Sequence, residues 1–380
     1  EHRADVDLLS FFHRQLRDYA VDGCRDLVLH LHRLQPQQRL PCGHVVALGD
    51  ANVDIIAHFA AFPDKGGDAL ASSTEIHCGG SATNTALALA RMGISTSLIA
   101  RLGPDSWALK VFGCLSEAGV SPSALQRDPA AMTGLMYVVV TPDGERTILG
   151  HRGANVFTDP DQIDENEIRS ARLFHLSGYA LLTEPQRSAA LRALALACRH
   201  GLTVSLDPGM AVSYDAAGEM RALLPQVNIL LPSLAEARQL AARSAPEECA
   251  RALVEAGVEV VAIKLGRQGS LVVTSRGVLR VPGFAVQARD STGAGDNFDA
   301  GLIAGFLGGL SWHGAALLGN ALGAMSATRV GASTAGPAAQ EVLQLLRNNQ
   351  EVDHETLDQV IGLVTALSTA PEKEGKPWWK

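Results

Sequence analysis

The chain has 380 residues, 47% apolar but only 5% aromatic, and a net charge of −8 from 32 basic and 40 acidic residues. This length admits one large α/β domain with additions, or two domains, around an aliphatic core rich in Ala and Gly. The negative balance argues against nucleic-acid binding. No apolar run approaches the roughly 20 residues that span a bilayer. The six cysteines, at 24, 42, 78, 114, 198 and 249, form no Cys-x-x-Cys pair, so reduced thiols and a cytoplasmic setting are expected.

Residues 1–43 read as a helical N-terminal extension. Leu8, Leu9, Phe12, Leu16 and Tyr19 form one stripe, Leu27, Val28, Leu31 and Leu34 a second, and Pro36 and Pro41 close the segment. It is expected to pack on the main domain or to serve as a partner-binding hairpin, and a homodimer is an open expectation. Val45 to Leu48 is an apolar strand, followed by Gly49-Asp50-Ala51-Asn52-Val53-Asp54. Open α/β sheets place ligands at the carboxyl ends of such strands. A carboxylate like Asp54 can accept from two vicinal hydroxyls, although alone it also reads as a turn residue.

Residues from about 52 to 78 and from 133 to 152 read as a small β lid. The second stretch is a hairpin, with Thr141-Pro142-Asp143-Gly144-Glu145 between Met136–Val140 and Arg146–Leu149. Between the two lid segments, Cys78-Gly79-Gly80-Ser81-Ala82-Thr83-Asn84 runs into a helix that stops at Gly93. The glycines permit close approach to a ligand, and Asn84 offers both a donor and an acceptor. Ile94–Leu102 reads as a strand and Pro104-Asp105 opens a helix ending at Gly119. Arg152 and Asn155 are in reach of a substrate, or are a surface Arg and a turn Asn.

From Leu173 onward strands and helices alternate. Strands fall at Leu173–Leu176, Leu202–Leu206, Ile229–Leu231, Val258–Ile263 and Leu271–Val273, and helices near 185–199, 217–224, 233–242 and 247–256. That alternation predicts a mostly parallel sheet covered on both faces, a three-layer α/β sandwich. Ser233-Leu234-Ala235-Glu236 is a capping box. Val261-Ala262-Ile263-Lys264 spells a protein-kinase strand motif, but neither His-Arg-Asp nor Asp-Phe-Gly accompanies it.

The stretch that organises the chain lies between a β-like run, Gly277–Gln287, and the helical pattern Phe298, Leu302, Ile303, Phe306 and Leu307. There Gly293-Ala294-Gly295-Asp296 combines a tight turn with a helix start. Unpaired first-turn amides and the positive end of the helix dipole make an anion site. Asp296 at its mouth is placed to accept a proton from an attacking hydroxyl.

This stretch resembles the second signature of the ribokinase-like (PfkB) carbohydrate kinases, Asp-Thr-Thr-Gly-Ala-Gly-Asp-x-Phe-x-x-Gly. Asp290, Thr292, Gly293, Ala294, Gly295, Asp296, Phe298 and Gly301 match, and Ser291 departs from it. Gly79-Gly80-x-x-x-Asn84 resembles the family's first signature. The resemblance covers about 44–346, leaving 347–380 as a C-terminal helix and tail. It implies ATP-dependent phosphorylation of a primary hydroxyl of a sugar-like substrate, with Asp296 as base and Gly293, Ala294 and Gly295 as anion hole. Asn52, Asp54, Gly79, Gly80 and Asn84 would hold the acceptor. Ser233 (Asn in the family), Lys264, Gly266, Gly269 and Asn320 would face the nucleotide. Glu236 would hold Mg²⁺ through water, and Asp290 would lie beside a monovalent cation such as K⁺. Alternatives are a nucleoside kinase of the same fold, or a catalytically silent sensor of sugar or nucleotide.

Overall fold

A computed structural model of the chain describes residues 43–142, 146–209, 217–331, 336–349 and 352–369. The expected N-terminal helices, the Asp143-Gly144 turn and the tail beyond 369 lie outside these residues. The described chain opens with β1 (His44–Leu48), then β2 (Asn52–His58), β3 (Ser73–Gly79), α1 (Ser81–Arg91), β4 (Thr96–Ile99), β5 (Arg101–Leu102) and α2 (Ser106–Ala118). Next come β6 (Gln126–Arg127), β7 (Gly134–Val140), β8 (Arg146–His151), α3 (Glu165–Arg169), β9 (Ala171–Ser177), α4 (Gln186–Arg199), β10 (Thr203–Asp207), α5 (Ala217–Leu223) and β11 (Ile229–Leu230). The rest is α6 (Leu234–Ala241), α7 (Pro246–Glu255), β12 (Val260–Lys264), β13 (Ser270–Thr274), β14 (Gly277–Val281), α8 (Ala294–Leu307), α9 (Trp312–Ala327), α10 (Ala339–Arg347) and α11 (His354–Ser368).

The main sheet has eight strands in the order β14-β13-β12-β11-β10-β9-β1-β4. The six strands β12-β11-β10-β9-β1-β4 are parallel and buried on both faces, which is why Val45–Leu48 and Val260–Ile263 are unbroken apolar runs. Strands β13 and β14 are antiparallel, because the tight Gly266–Gln268 turn after β12 is too short for a crossover helix. On one face Leu194, Leu240 and Leu253 of the covering helices pack on Val204, Leu206 and Ile263. On the other, Leu87, Val111 and Leu115 pack on Ala47 and Leu98. Helices α8 and α9 meet through glycines: a Cβ on Gly301 would lie 2.7 Å from Gly319 Cα. The three-layer α/β sandwich with a mostly parallel sheet is therefore the observed fold.

A second sheet, β3-β2-β7-β8, stands where the lid was expected. Strand β2 starts at Asn52, where the lid was expected to begin, so Asp54 is a strand residue, not a turn residue; Asn52 is paired with Gly79 on one side and Gly134 on the other. The predicted strand Ile94–Leu102 divides at Ala100, and its second part pairs with β6 in a separate two-stranded ribbon. The predicted strand Gly277–Gln287 stops at Val281, because Pro282 has no amide to give the ladder. The thiols also depart from expectation. Cys78, at the end of β3, and Cys114, in α2, are joined as a disulfide, since strand and helix bring together residues 36 apart in sequence. Cys198 and Cys249 are free. Among the described residues no helix is long and apolar enough to cross a membrane.

Candidate active site

Helix α8 begins in a left-handed turn at Gly293, φ 71°, a conformation that glycine adopts without the cost a Cβ brings. Asn297 Nδ2 donates to the Gly293 carbonyl (2.9 Å) and to Ser326 Oγ on α9 (3.1 Å), pinning the turn from behind. The Ala294 amide donates to the Ser291 carbonyl at 3.2 Å. The next amides, of Gly295 and Asp296, belong to the first helical turn and have no intrahelical acceptor. Asp296 lies in that turn. Its Oδ2 accepts from Asn84 Nδ2 at 2.7 Å, and its carbonyl accepts from Thr85 Oγ1 at 3.3 Å. The starts of α1 and α8, far apart in sequence, thus stand side by side.

The glycines before α1 are required by close packing. A Cβ on Gly79 would lie 2.2 Å from both carboxylate oxygens of Asp54, and one on Gly80 (φ 99°) would lie 2.1 Å from the Asp50 carbonyl oxygen. Asp54 is buried, and its Oδ1, like Asn84 Oδ1, has no hydrogen-bond partner among the described residues. Burial first, and then the Asp296 charge, push the Asp54 pKa up to about 7. Burial and then Asp207 raise Asp296 to about 6, against the hydrogen bond from Asn84. These values suit proton transfer near neutrality.

Ser177 belongs to the same face and was not anticipated. It ends β9 in register with Asp207 and beside Gly49, and its buried Oγ has no partner. A lone serine after a strand carries no sequence signal. Other expected side chains are committed to the scaffold. Asn155 donates to Asn52 Oδ1 (2.9 Å) and to the Ala51 carbonyl and accepts from the Ala51 amide, so it and Asn52 clamp the β1–β2 turn. Arg152 pairs with Asp50 through Nε and Nη2 at 2.7 and 2.8 Å.

Lys264, expected near the phosphates, ends β12 with its ammonium among carboxylates. Its ammonium donates to Asp207 Oδ1 (3.2 Å) and to both oxygens of Asp299 (3.1 and 3.2 Å), directly beneath Gly295. Burial opposes its charge, but Asp207, Asp299 and Glu236 outweigh burial and push its pKa up. Carboxylate oxygens of Asp207, Asp296 and Asp299 lie within 4.8 Å of one another. Lys264 keeps that acidic group tolerable and places positive charge behind the turn.

Ser233 and Glu236 form the capping box in full: Ser233 Oγ accepts from the Glu236 amide (3.3 Å), and Glu236 Oε2 accepts from the Ser233 amide (2.7 Å). Burial and the nearby Asp207 raise the Glu236 pKa. The carboxylates of Asp207, Glu236, Asp296 and Asp299 outnumber the single ammonium among them, a surplus that a divalent cation would neutralise. Gly266 and Gly269 shape the turn after β12; a Cβ on Gly269 would lie 2.1 Å from the Val281 carbonyl oxygen. Asn320 Nδ2 donates to the carbonyls of Val281 and Pro282 (3.1 and 3.0 Å), holding the loop after β14. Beside it opens a cleft lined by Leu265, Gln268, Ser270, Arg280, Val281 and Pro282. Asp290, expected beside a monovalent cation, accepts through Oδ1 from Arg146 Nη1 at 2.8 Å.

A description of the pfkB family carbohydrate kinases matches residues 43–339. The chain is 34% identical to an ATP-dependent ribose-1-phosphate kinase of Halopiger xanaduensis, over 80% of this chain and 97% of the relative. It is 29% identical to a fructokinase of Solanum tuberosum, over 81% and 97%. Its fold is similar to that of the Arabidopsis thaliana ribokinase complexed with ribose and ATP, with a TM-score of 0.71 at 24% identity over 81% of this chain and 99% of that one. By its length of match and the two signatures seen in place at the starts of α1 and α8, the chain belongs to the pfkB family of carbohydrate kinases, enzymes that transfer phosphate to a hydroxyl.

Proposed function

We propose that this kinase transfers the γ-phosphoryl group of ATP to a primary hydroxyl of a sugar or sugar-like acceptor, with Asp296 as general base. One observation carries the reading: Asp296, at the amide-rich start of α8, is bonded to Asn84 and held near pKa 6, while the buried Asp54 and Asn84 each keep one oxygen without a partner. Those oxygens are acceptors for the hydroxyls of a polyol. The acceptor oxygen attacks phosphorus, its proton passes to Asp296, and the bond to the leaving ADP oxygen breaks. The amides of Gly295 and Asp296 face the migrating group, with the Lys264 charge behind them; the Ala294 amide is already given to Ser291. Glu236 would hold Mg²⁺ through water, and the ion would neutralise phosphate charge. A silent sensor has no need of a carboxylate tuned toward neutrality at a helix start.

The named activities of the Halopiger and Solanum relatives put ribose 1-phosphate and fructose first among acceptors to try, with nucleosides as the rival class. Coupled ADP-release assays over these compounds test the proposal. A sugar or sugar phosphate giving product-stoichiometric ADP release supports it. A nucleoside as the preferred acceptor replaces the substrate class, and binding without turnover overturns the catalytic reading.

A further inference from the structure

The lid sheet is fastened to the catalytic turn at one carboxylate. Arg146 opens β8, an edge strand of that sheet, and its guanidinium leaves the sheet altogether. Nη1 donates to Asp290 Oδ1 at 2.8 Å and Nη2 to Ser291 Oγ at 3.1 Å. Asp290 also sets the shape of the turn. Its Oδ1 accepts from the Thr292 amide (2.8 Å) and Thr292 Oγ1 (2.6 Å), and Oδ2 accepts from the Gly331 amide (3.1 Å). Thr292 is followed by Gly293, the residue that starts α8. The Asp290 amide is itself tied to the Ala327 carbonyl at the end of α9 (3.2 Å). The other edge of the lid sheet reaches the same place: a Cβ on Gly331 would lie 2.7 Å from the His77 ring of β3. A side chain from the lid therefore shares its acceptor with the hydrogen bonds that hold the phosphate-facing turn.

We propose that Arg146 is a positioning residue of the reaction: a lid-borne cation that latches the closed lid to Asp290 and, through Thr292, holds the Gly293–Asp296 turn in its catalytic shape. This rests on the kinase reading above and adds to it a residue that never touches the acceptor. Burial opposes the charge of Asp290, but the hydrogen bonds from Thr292 and Gly331 and then the Arg146 charge outweigh it and lower its pKa. The pair is part-exposed, so its share of folding stability is small, and its effect falls on lid closure and the order of the turn.

The test compares wild type, Arg146→Ala and Arg146→Lys. Arg146→Ala is expected to lower kcat by roughly tenfold or more, to raise acceptor KM, and to release ADP in excess of phosphorylated acceptor as water enters. Its melting temperature is expected to stay near that of wild type. Arg146→Lys should lie between the two, and free guanidinium at millimolar concentration should restore Arg146→Ala while leaving wild type unchanged. Unchanged kinetics in Arg146→Ala overturns the proposal, as does a loss that neither lysine nor guanidinium relieves. Amide hydrogen exchange over β7 and β8 (Gly134–Val140 and Arg146–His151) reads the latch without turnover: protection present in wild type should fall in Arg146→Ala. If wild type keeps that protection but phosphorylates no sugar, the acceptor assignment fails and the latch stands. If protection is the same in both proteins, the latch fails whatever the acceptor.

Discussion

Burial lifts Asp54 to about 7 and Asp296 to about 6, and both values have consequences with opposite signs. Catalysis by an ionised Asp296 should rise with pH through this window. Stability should fall through it: the folded carboxyls bind protons more tightly than unfolded ones at 3.8, so what they contribute below about pH 4 is lost as pH climbs past 6 to 7. Lys264 sets where the activity limb lies. Replacing it in Lys264→Met strands Asp207 and Asp299 in the interior, at an expected cost of about 3–5 kcal/mol. It also removes the positive charge beside Asp296, which should move the acid limb of kcat/KM up by about one pH unit. Thermal melts and pH–rate profiles check the two effects separately, and a limb that does not move would show that Lys264 has no electrostatic hold on Asp296. The place of Lys264 at the end of a strand was legible, but which way its ammonium turned depended on Asp207 and Asp299, from other elements.

At the scale of elements, the starts of two helices and one strand pair make the site. Strand β2 carries Asp54, β3 carries Gly79 opposite Asn52, and the missing side chain of Gly79 is the space the Asp54 carboxylate fills. Gly79→Ala would bring a methyl 2.2 Å from both oxygens, so Asp54 must turn away. Acceptor KM is expected to rise by roughly tenfold or more, with kcat less affected and a stability loss of about 1–3 kcal/mol. Steady-state kinetics and a denaturant melt would show it; an unchanged KM would mean that Asp54 is not an acceptor ligand. Both glycine-rich starts were legible in the sequence, because turn glycines and a following apolar helix period are local signals. The start of the lid near residue 52 was legible as well, but Asp54 alone looks like a turn residue, and it takes pairing with His77 and Met136 on two sides to make it strand.

Over the whole molecule, alternation of strands and helices was enough to read a parallel sheet covered on both faces. The antiparallel β13 and β14 edge, the β5–β6 ribbon and the Cys78–Cys114 bond were not legible, since each depends on contacts between segments with no shared local pattern. The disulfide ties β3, which ends at Gly79, to α2. Closing a loop of 36 residues should stabilise the fold by about 2–4 kcal/mol in the chain-entropy account. A reductant such as dithiothreitol should then lower the melting temperature of wild type and leave Cys114→Ser, already lowered, where it is. Equal melting temperatures for oxidised wild type and Cys114→Ser would show that the bond contributes nothing to the fold.

The central claim is that one carboxylate, at the head of α8, takes the proton from the acceptor. Acceptor-dependent ADP release by Asp296→Asn, set beside the melting temperature of the same protein, tests it most directly. The account predicts a loss of turnover of roughly three decades or more with acceptor binding retained. It also predicts a melting temperature at pH 8 no lower than that of wild type, because a buried charge has been removed. Turnover within a few-fold of wild type in a protein that melts normally would contradict it.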